Sequence, residues 1–309
     1  MSENSMHYNL SVAVEAEGER LDRYVARAVP ELSRSYVQQL IAAEQITVNA
    51  RPARASLALR AGDQVAVAVP PPQPIGLAPE AIPLDVVYED ADVVVVNKPA
   101  GMVVHPAPGH PGGTLVNALL ARYPDMQVAG DLRPGIVHRI DAGTSGLLVV
   151  ARNDAALRDL ADQQRERQMR KIYLAVAEGR VKEPEGVVDA PVGRHPVDRL
   201  RMAVVRGGRP ARTHYRVIEE LDAYTLLELR LETGRTHQIR VHMLHIGRPV
   251  LGDPIYGARK GRPSFGLDRQ FLHAQQLGFR LPGGGWREFS APLPADLEAA
   301  LRKLRGSSR

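Results

Sequence analysis

The sequence predicts an α+β protein: a mixed, mainly antiparallel central sheet with flanking helices, preceded by a small α/β unit. Three observations predict it. From Asp85 onward, short apolar runs alternate with Gly- and Pro-containing turns, the texture of a sheet made of short strands. Before residue 70 the apolar spacing is first helical and then alternating. Between the two lies a proline-rich stretch, Pro70-Pro71-Pro72-Gln73-Pro74, which has little to bury and reads as a semi-rigid connector. The boundaries that follow are 11–69 for the small unit, 70–84 for the connector, 85–301 for the large unit and 302–309 for a basic, frayed tail.

In the small unit, Leu21, Tyr24, Val25, Ala28 and Val29 recur at helical spacing and Pro30 follows. Ser33 is placed to cap a second helix with Val37, Leu40 and Ile41 inward. Ile46-Thr47-Val48 and Gln64-Val65-Ala66-Val67 then read as short strands, the second introduced by Gly62-Asp63. In the large unit the predicted strands are 93–97, 146–151, 172–177, 213–218, 225–231 and 238–243, and the predicted helix is 153–169. Alternation along the last of these strands sets His237, Ile239 and Val241 on one face and Gln238, Arg240 and His242 on the other.

The 309 residues are 44% hydrophobic and carry a formal net charge of +5, which supplies a normal core and favours a polyanionic partner. There is no cysteine, so disulfides and thiolate metal sites are excluded. No basic segment leads into an apolar stretch at the N-terminus, and nowhere do eighteen apolar residues run together. A soluble, cytoplasmic protein is therefore expected. The arginines are unevenly spread. Residues 1–75 hold seven arginines against eight acids, so RNA contact there needs a segregated face. Its candidates are Arg20, Arg23, Arg27, Arg34, Arg51 and Arg54, with Asn49 in the turn between the helix pair and the strand. Residues 191–216 hold Arg194, Arg199, Arg201, Arg206, Arg209, Arg212 and Arg216 against a single acid, Asp198. Arg165, Arg167, Arg170 and Lys171 form a second cluster. Such clusters beside short loops suit RNA phosphates, which guanidinium forks grip.

The chemistry concentrates in His138-Arg139-Ile140-Asp141-Ala142-Gly143-Thr144-Ser145-Gly146. One carboxylate, Asp141, stands between a basic pair and a glycine-containing turn, and the apolar run Leu147-Leu148-Val149-Val150 follows. A single acid delivered by a turn and locked by a buried strand suits a nucleophile offered to a bulky substrate. Farther along, Thr233-Gly234 makes a turn and Arg235 stands where a strand begins, a candidate partner for a buried carboxylate. Other readings are weaker. His237 and His242 on opposite sides of a strand do not make a zinc site. Neither glycine-rich phosphate loop occurs. His138, Asp141 and Ser145 are crowded into eight residues with no strand elbow for a nucleophilic serine.

Arg133-Pro134-Gly135-Ile136-Val137-His138-Arg139-Ile140-Asp141, with Thr144-Ser145-Gly146-Leu147, resembles the signature of the RluA family of pseudouridine synthases. Residues 97–106, Lys171-Ile172-Tyr173, 234–242, 252–257 and Leu272-His273-Ala274 are similar to further motifs of that family, in the same order. Residues 20–67 resemble the S4 RNA-binding module that several members carry in front. Residues 82–90 and 248–253 are most similar to the members that act on large-subunit ribosomal RNA at uridines of the helix 69 stem-loop. Two departures stand beside the nucleophile: Ile140 for the usual leucine, and Ala142-Gly143 for a usual lysine–acid pair.

The resemblance implies a pseudouridine synthase fold and isomerisation of specific uridines in large-subunit ribosomal RNA or a pre-ribosomal particle. It implies a monomer working away from membranes, without cofactor or metal. Another ribosomal or transfer RNA uridine, and a non-catalytic assembly factor, are the alternatives. It further implies Asp141 as the catalytic carboxylate, Arg235 paired with it, and Tyr173 stacked on the base. Attack by Asp141 at C1′, attack at C6, and removal of the 2′ proton all stay open. Substrate contacts are expected from His138, Arg139, Thr144, Lys171, Leu231 and Ile239, and from Arg194 and Arg201 on the basic stretch. Arg139 would hold the displaced backbone or fill the space a flipped base leaves.

Overall fold

The computed structural model describes residues 6–32, 34–70, 77–106, 110–126, 134–198, 201–257 and 264–307. The chain separates into two units, Met1–Gly76 and Leu77–Arg309. The first contains β1 (Met6–Ser11), a 3-10 turn at Val14–Ala16, α1 (Leu21–Ala28), α2 (Arg34–Ala42), β2 (Ile46–Val48), β3 (Arg51–Pro52) and β4 (Gln64–Val69). Its sheet runs β1-β4-β2-β3. Leu21, Tyr24 and Val25 of α1 and Val37, Leu40 and Ile41 of α2 pack on Ile46, Val48, Val65 and Val67, the faces that helical and alternating spacing select. The unit starts earlier than residue 11 because β1 adds an edge strand, whose mostly exposed side chains carry little apolar pattern. Ser33, the expected cap, and residues 71–76 of the connector lie outside the described residues.

One expectation in this unit is corrected. Asn49 sits in the turn between β2 and β3, at φ 51°, and not between helices and strand. Its amide donates to Asp63 Oδ1 at 2.8 Å and accepts from the Gln64 N–H at 2.9 Å, so it closes the turn. Arg20 and Arg34 ion-pair with the buried Asp22 at 3.0 and 2.8 Å. Arg23 is exposed.

The second unit runs β5 (Val86–Glu89), β6 (Val93–Lys98), α3 (Leu115–Arg122), β7 (Ser145–Ala151), α4 (Asp154–Arg165), β8 (Arg170–Glu178), β9 (Glu185–Asp189), β10 (Val192–Arg194), β11 (Met202–Val204), β12 (Arg212–Leu221), β13 (Tyr224–Leu231), α5 (Gln238–His245), β14 (Leu272–Arg280), β15 (Trp286–Ser290) and α6 (Ala295–Ser307). Nine strands form one mixed sheet in the order β5-β6-β7-β14-β8-β13-β12-β9, with β15 on β14. All its named pairings are antiparallel except β7 with β14. Leu115 and Leu119 of α3 and Ile239 and Met243 of α5 pack on one face with Val94, Leu148, Tyr173 and Leu229. On the other, Ala156 and Leu160 of α4 pack on Val93, Leu147 and Phe279. A fold of α+β class, mainly antiparallel with flanking helices, is what the patterning predicts.

Three segments differ from expectation. Residues 238–243 are helix, not strand. Gln238 through Met243 are all buried, so the segment has no polar stripe to betray a helical period, and the alternation of Ile239 and Val241 is incidental. Residues 302–307 are not a frayed tail but the end of α6, whose Leu297, Ala300, Leu301 and Leu304 pack on Val176 and Phe271. Residues 77–84 are not a bare connector either. Leu77 is buried, and the Glu80 carboxylate accepts from the Gly113 N–H at 2.9 Å ahead of α3.

Gly146 fixes the parallel seam. It pairs with Ala274, adopts φ +113°, and a Cβ there would lie 2.3 Å from the Ala274 carbonyl oxygen. Both the dihedral and the contact are backbone constraints that no rotamer relieves. Gly146→Ala is expected to cost about 3 kcal/mol or more in urea denaturation; a loss below about 1 kcal/mol would contradict this account of the seam.

Candidate active site

Asp141 opens into a cavity of about 240 Å³ in the second unit. Its walls are the loop 138–144, Lys171 and Tyr173 of β8, Leu231 at the end of β13, and residues 234–240 at the start of α5. Asp141 Oδ2 accepts from Arg240 Nη1 at 3.0 Å. The Arg240 side chain is 4% exposed, and its other edge forks onto Asp253, Nε to Oδ2 at 2.7 Å and Nη2 to Oδ1 at 2.8 Å. Asp253 is itself held by the Ile255 and Tyr256 N–H groups, at 2.9 and 3.0 Å to Oδ1. The Arg240 guanidinium lies 5.0 Å from the Tyr256 ring centroid. Burial opposes the charge on Arg240, but the bonds and fields of Asp253 and Asp141 outweigh it and raise the pKa, so the guanidinium stays protonated.

The expected Arg235–Asp141 pair is therefore corrected to Arg240–Asp141. Arg235 lines the same cavity, but its Nε donates to the Pro210 carbonyl at 3.2 Å. Burial, then the like charges of Arg209 and Arg167, lower its pKa. The helix is the reason. His237 takes a left-handed conformation at φ 56° and starts α5, and Gln238 Oε1 accepts from Thr233 Oγ1 at 2.8 Å and from the Arg235 N–H at 3.0 Å. The turn aims Arg235 sideways, and the first turn of the helix carries Arg240 to the carboxylate.

The loop carrying Asp141 is gripped by its own backbone. The Ala142 carbonyl accepts from Lys98 Nζ at 3.2 Å and from the Gly101 N–H at 2.8 Å. The Gly143 carbonyl accepts from Arg269 Nη1 at 3.0 Å, and Arg269 forks onto Asp296 of α6 at 2.7 and 3.0 Å. Lys98 is buried and also donates to the Pro99 and Met102 carbonyls, both at 2.8 Å. Burial lowers its pKa to about 7, with Asp141 opposing and Arg269 reinforcing the shift. Thr144 is buried and lines the cavity; its N–H closes a turn on the Asp141 carbonyl at 3.0 Å and its Oγ1 accepts from Gln270 at 3.2 Å.

His138, an expected substrate contact, lines the cavity as well. Its Nε2 accepts from the Val149 N–H at 3.3 Å, and burial together with Lys171 pushes its pKa down to about 3, so it is a neutral wall. Arg139 is exposed at the mouth, with Nη2 bonded to Thr236 Oγ1 at 2.6 Å. Tyr173 is buried beside Leu231 and Ile239; burial, then Asp141, raises its pKa and keeps the hydroxyl protonated. Lys171 donates to Gln164 Oε1 at 2.8 Å. Arg194 and Arg201 of the β10–β11 ribbon do not line the cavity. Arg194 is exposed, while Arg201 stacks on Tyr256 at 5.2 Å; Arg199 lies outside the described residues. Arg240, Asp253, Tyr256, Lys98 and Arg269 do not stand out residue by residue in the sequence. All but Arg269 stand inside segments marked by the resemblance, and only the helical period of 238–245 would have singled out Arg240.

Residues 92–245 match the family model described as RNA pseudouridylate synthase, and residues 19–65 match that of the S4 domain. The chain is 61% identical over 288 residues to an uncharacterized RNA pseudouridine synthase of Chloroflexus aurantiacus, covering 93% of this chain and 90% of that protein. It is 45% identical to the ribosomal large subunit pseudouridine synthase D of Nitrosomonas europaea, over 98% of this chain and 89% of that one. Among solved structures, human RNA pseudouridylate synthase domain containing 1 superposes with a TM-score of 0.58 at 29% identity, over 74% of this chain and 96% of that chain. The chain belongs to the RNA pseudouridine synthases of the RluA superfamily and carries an N-terminal S4 domain. It is an isomerase of uridine in RNA. No helix among the described residues is long and apolar enough to cross a membrane.

Lys171 generates a pH dependence. Burial lowers its pKa from the ordinary 10.5 to about 8. Between those values the unfolded chain binds more protons than the folded one, so stability rises with pH through that window. Relative to Lys171→Met, the wild type is expected to gain about 3 kcal/mol between about pH 7 and pH 11, measured by urea denaturation at both ends. Parallel stability curves for the two proteins would refute the assignment.

Proposed function

We propose that Asp141 is the catalytic carboxylate of this enzyme and that its substrate is the helix 69 stem-loop of 23S ribosomal RNA. The observation that carries the reading is the 3.0 Å contact between Asp141 and Arg240 inside a cavity walled by Tyr173, Leu231 and Ile239. Arg240 is locked by Asp253, so it compensates the carboxylate without wandering, the kind of preorganisation that catalysis at a closed site uses. Leu231 and Ile239 offer apolar walls to a flat uracil ring, and Tyr173 a ring to stack on it.

Isomerisation breaks the C1′–N1 bond, turns the uracil and joins C5 to C1′; the C5 proton leaves and one is gained at N1, so no atoms are lost. Asp141 serves this by attacking C1′ or C6, or by taking the 2′ proton as the uracil departs. Tyr173, protonated, is the candidate for proton transfer at C5. Taking the uridine out of its stack costs a few kcal/mol, least in a loop, and Arg139 at the mouth is placed to hold the displaced strand. The Nitrosomonas relative is by name a ribosomal large subunit synthase, which supports the RNA class; the helix 69 assignment rests on residues 82–90 and 248–253.

Asp141→Asn is expected to lower isomerisation of a helix 69 RNA by roughly a thousandfold or more while RNA affinity is retained. Persistent conversion would remove Asp141 from this role. Arg240→Lys is expected to cost at least about tenfold more activity than Arg235→Ala, because only the first breaks a buried fork; equal losses would count against the pairing. Pseudouridine mapping in a deletion strain should show the missing sites in helix 69. Missing sites in another ribosomal segment or in transfer RNA would overturn the substrate and leave the reaction class untouched.

A further inference from the structure

A second depression in the large unit, of about 560 Å³, is walled by Arg167, Arg170, Arg230, Glu232, Trp286 and Glu288. Leu231 lines both this groove and the cavity holding Asp141, so the two meet at the end of β13. Trp286 is the sole tryptophan of the chain and is 43% exposed. It is nevertheless seated. Its Nε1 donates to Glu288 Oε1 at 3.1 Å, and the indole occupies the space over Gly278, where a Cβ would lie 2.7 Å from Trp286 Cζ2. A flat ring resting on a glycine, tied by its one polar atom and otherwise open, is a rigid platform with little entropy to lose on contact.

The charge of the groove is cationic. Both acids are already engaged: Glu288 with Arg170 at 3.2 Å, and Glu232 with Arg167 at 3.2 Å, Arg212 at 3.7 Å and His214 at 2.5 Å. Arg230 is exposed and, among the described residues, pairs with no carboxylate. Arg167 acts electrostatically on Arg235 at the wall of the first cavity, so positive ground runs from one depression to the other.

We propose that this groove is a second RNA subsite, in which a base flanking the target uridine stacks on Trp286 while the adjoining phosphates lie on Arg230 and Arg167. Unstacked RNA is gripped by aromatic rings and guanidinium planes, with cations along its backbone, and the groove presents all three. The cavity chooses uracil; the groove reads how the strand leaves it. The inference rests on the reading that the Asp141 cavity receives the target uridine.

Trp286 is its own reporter. Titrating full-length Asp141→Asn protein with a helix 69 stem-loop is expected to quench the tryptophan fluorescence saturably, at the Kd found by an independent binding assay. Trp286→Ala is expected to weaken binding about tenfold, the scale of one stacked base, and Trp286→Phe to restore most of it. Arg230→Glu, an exposed change that leaves the core intact, is expected to weaken binding and flatten its salt dependence by about one phosphate contact. Unchanged fluorescence at saturating RNA, or Trp286→Ala and Arg230→Glu binding like the wild type, would overturn the subsite. Quenching by the assembled ribosomal subunit but not by the naked RNA would assign the groove to a protein and overturn it as well. Full isomerisation by Asp141→Asn would instead sink the reading of the cavity, and the fluorescence would still judge the groove.

Discussion

Arg240, buried between Asp253 and Asp141, is the interaction on which the site depends. A guanidinium taken out of water loses several kcal/mol of hydration, and only a saturated set of partners offsets that. Asp253 takes two of its donors in a fork, the Tyr256 ring lies over it, and Nη1 is left for Asp141. Asp253 is in turn fixed by backbone N–H groups of its own turn. The constraint therefore runs in one direction, from the 253–256 turn through α5 to the loop. It explains why two segments thirteen residues apart must meet before the carboxylate at residue 141 has a defined place.

The loop itself is held mostly through main-chain atoms, which clarifies the Ala142-Gly143 pair. Ala142 is exposed, and what the fold uses there is its carbonyl, clamped by Lys98 and Gly101. At Gly143 a Cβ would come 2.7 Å from the Gln270 side-chain oxygen, the same Gln270 that bonds Thr144. Loss of a lysine–acid pair at these positions thus removes no loop anchor. The anchors are supplied from outside the motif, by Lys98 at the end of β6 and by Arg269, itself tied to α6 through Asp296.

Sequence pattern reveals elements whose burial is one-sided or complete in apolar residues, and it fails where polar groups are satisfied internally. The strands β6, β7 and β8 are legible because each holds an unbroken, largely buried apolar run, Val93–Val96, Leu147–Ala151 and Ile172–Ala177. β14 shows in the sequence only as the motif Leu272-His273-Ala274. Its buried His273 bonds Ser145 Oγ at 2.9 Å and the Ala291 carbonyl at 3.3 Å, so a polar residue sits at the centre of the sheet. α3 did carry a readable signal: Thr114 and Asn117 form a capping box. α5 carries none, since its first six residues are all buried and its N-cap His237 makes no side-chain cap bond. A strand reading also conceals Arg240. In a strand Arg235 and Arg240 lie on opposite faces, and Arg235, beside the turn where that strand would begin, is the one the sequence offers as partner.

The same caution applies to counting arginines as RNA contacts. In the S4 domain seven arginines face eight acids over residues 1–75, a balance that argues against a basic surface until the partners are placed. Asp22 is fully buried and takes Arg20, Arg34 and Gln38 at 3.0, 2.8 and 2.7 Å; the Arg20 bond above all, against the opposing effect of burial, holds its carboxyl well below the usual range. One acid is thereby withdrawn from the surface, while Arg20 and Arg34 keep 43% and 47% of their side chains exposed. Their outward N–H groups remain available, and their inward ones fix their direction. Two arginines oriented by a buried aspartate lose less rotamer entropy on meeting phosphates than two free ones. A near-neutral sum of charges is therefore compatible with a cationic face, because the neutralising charge lies on the inside.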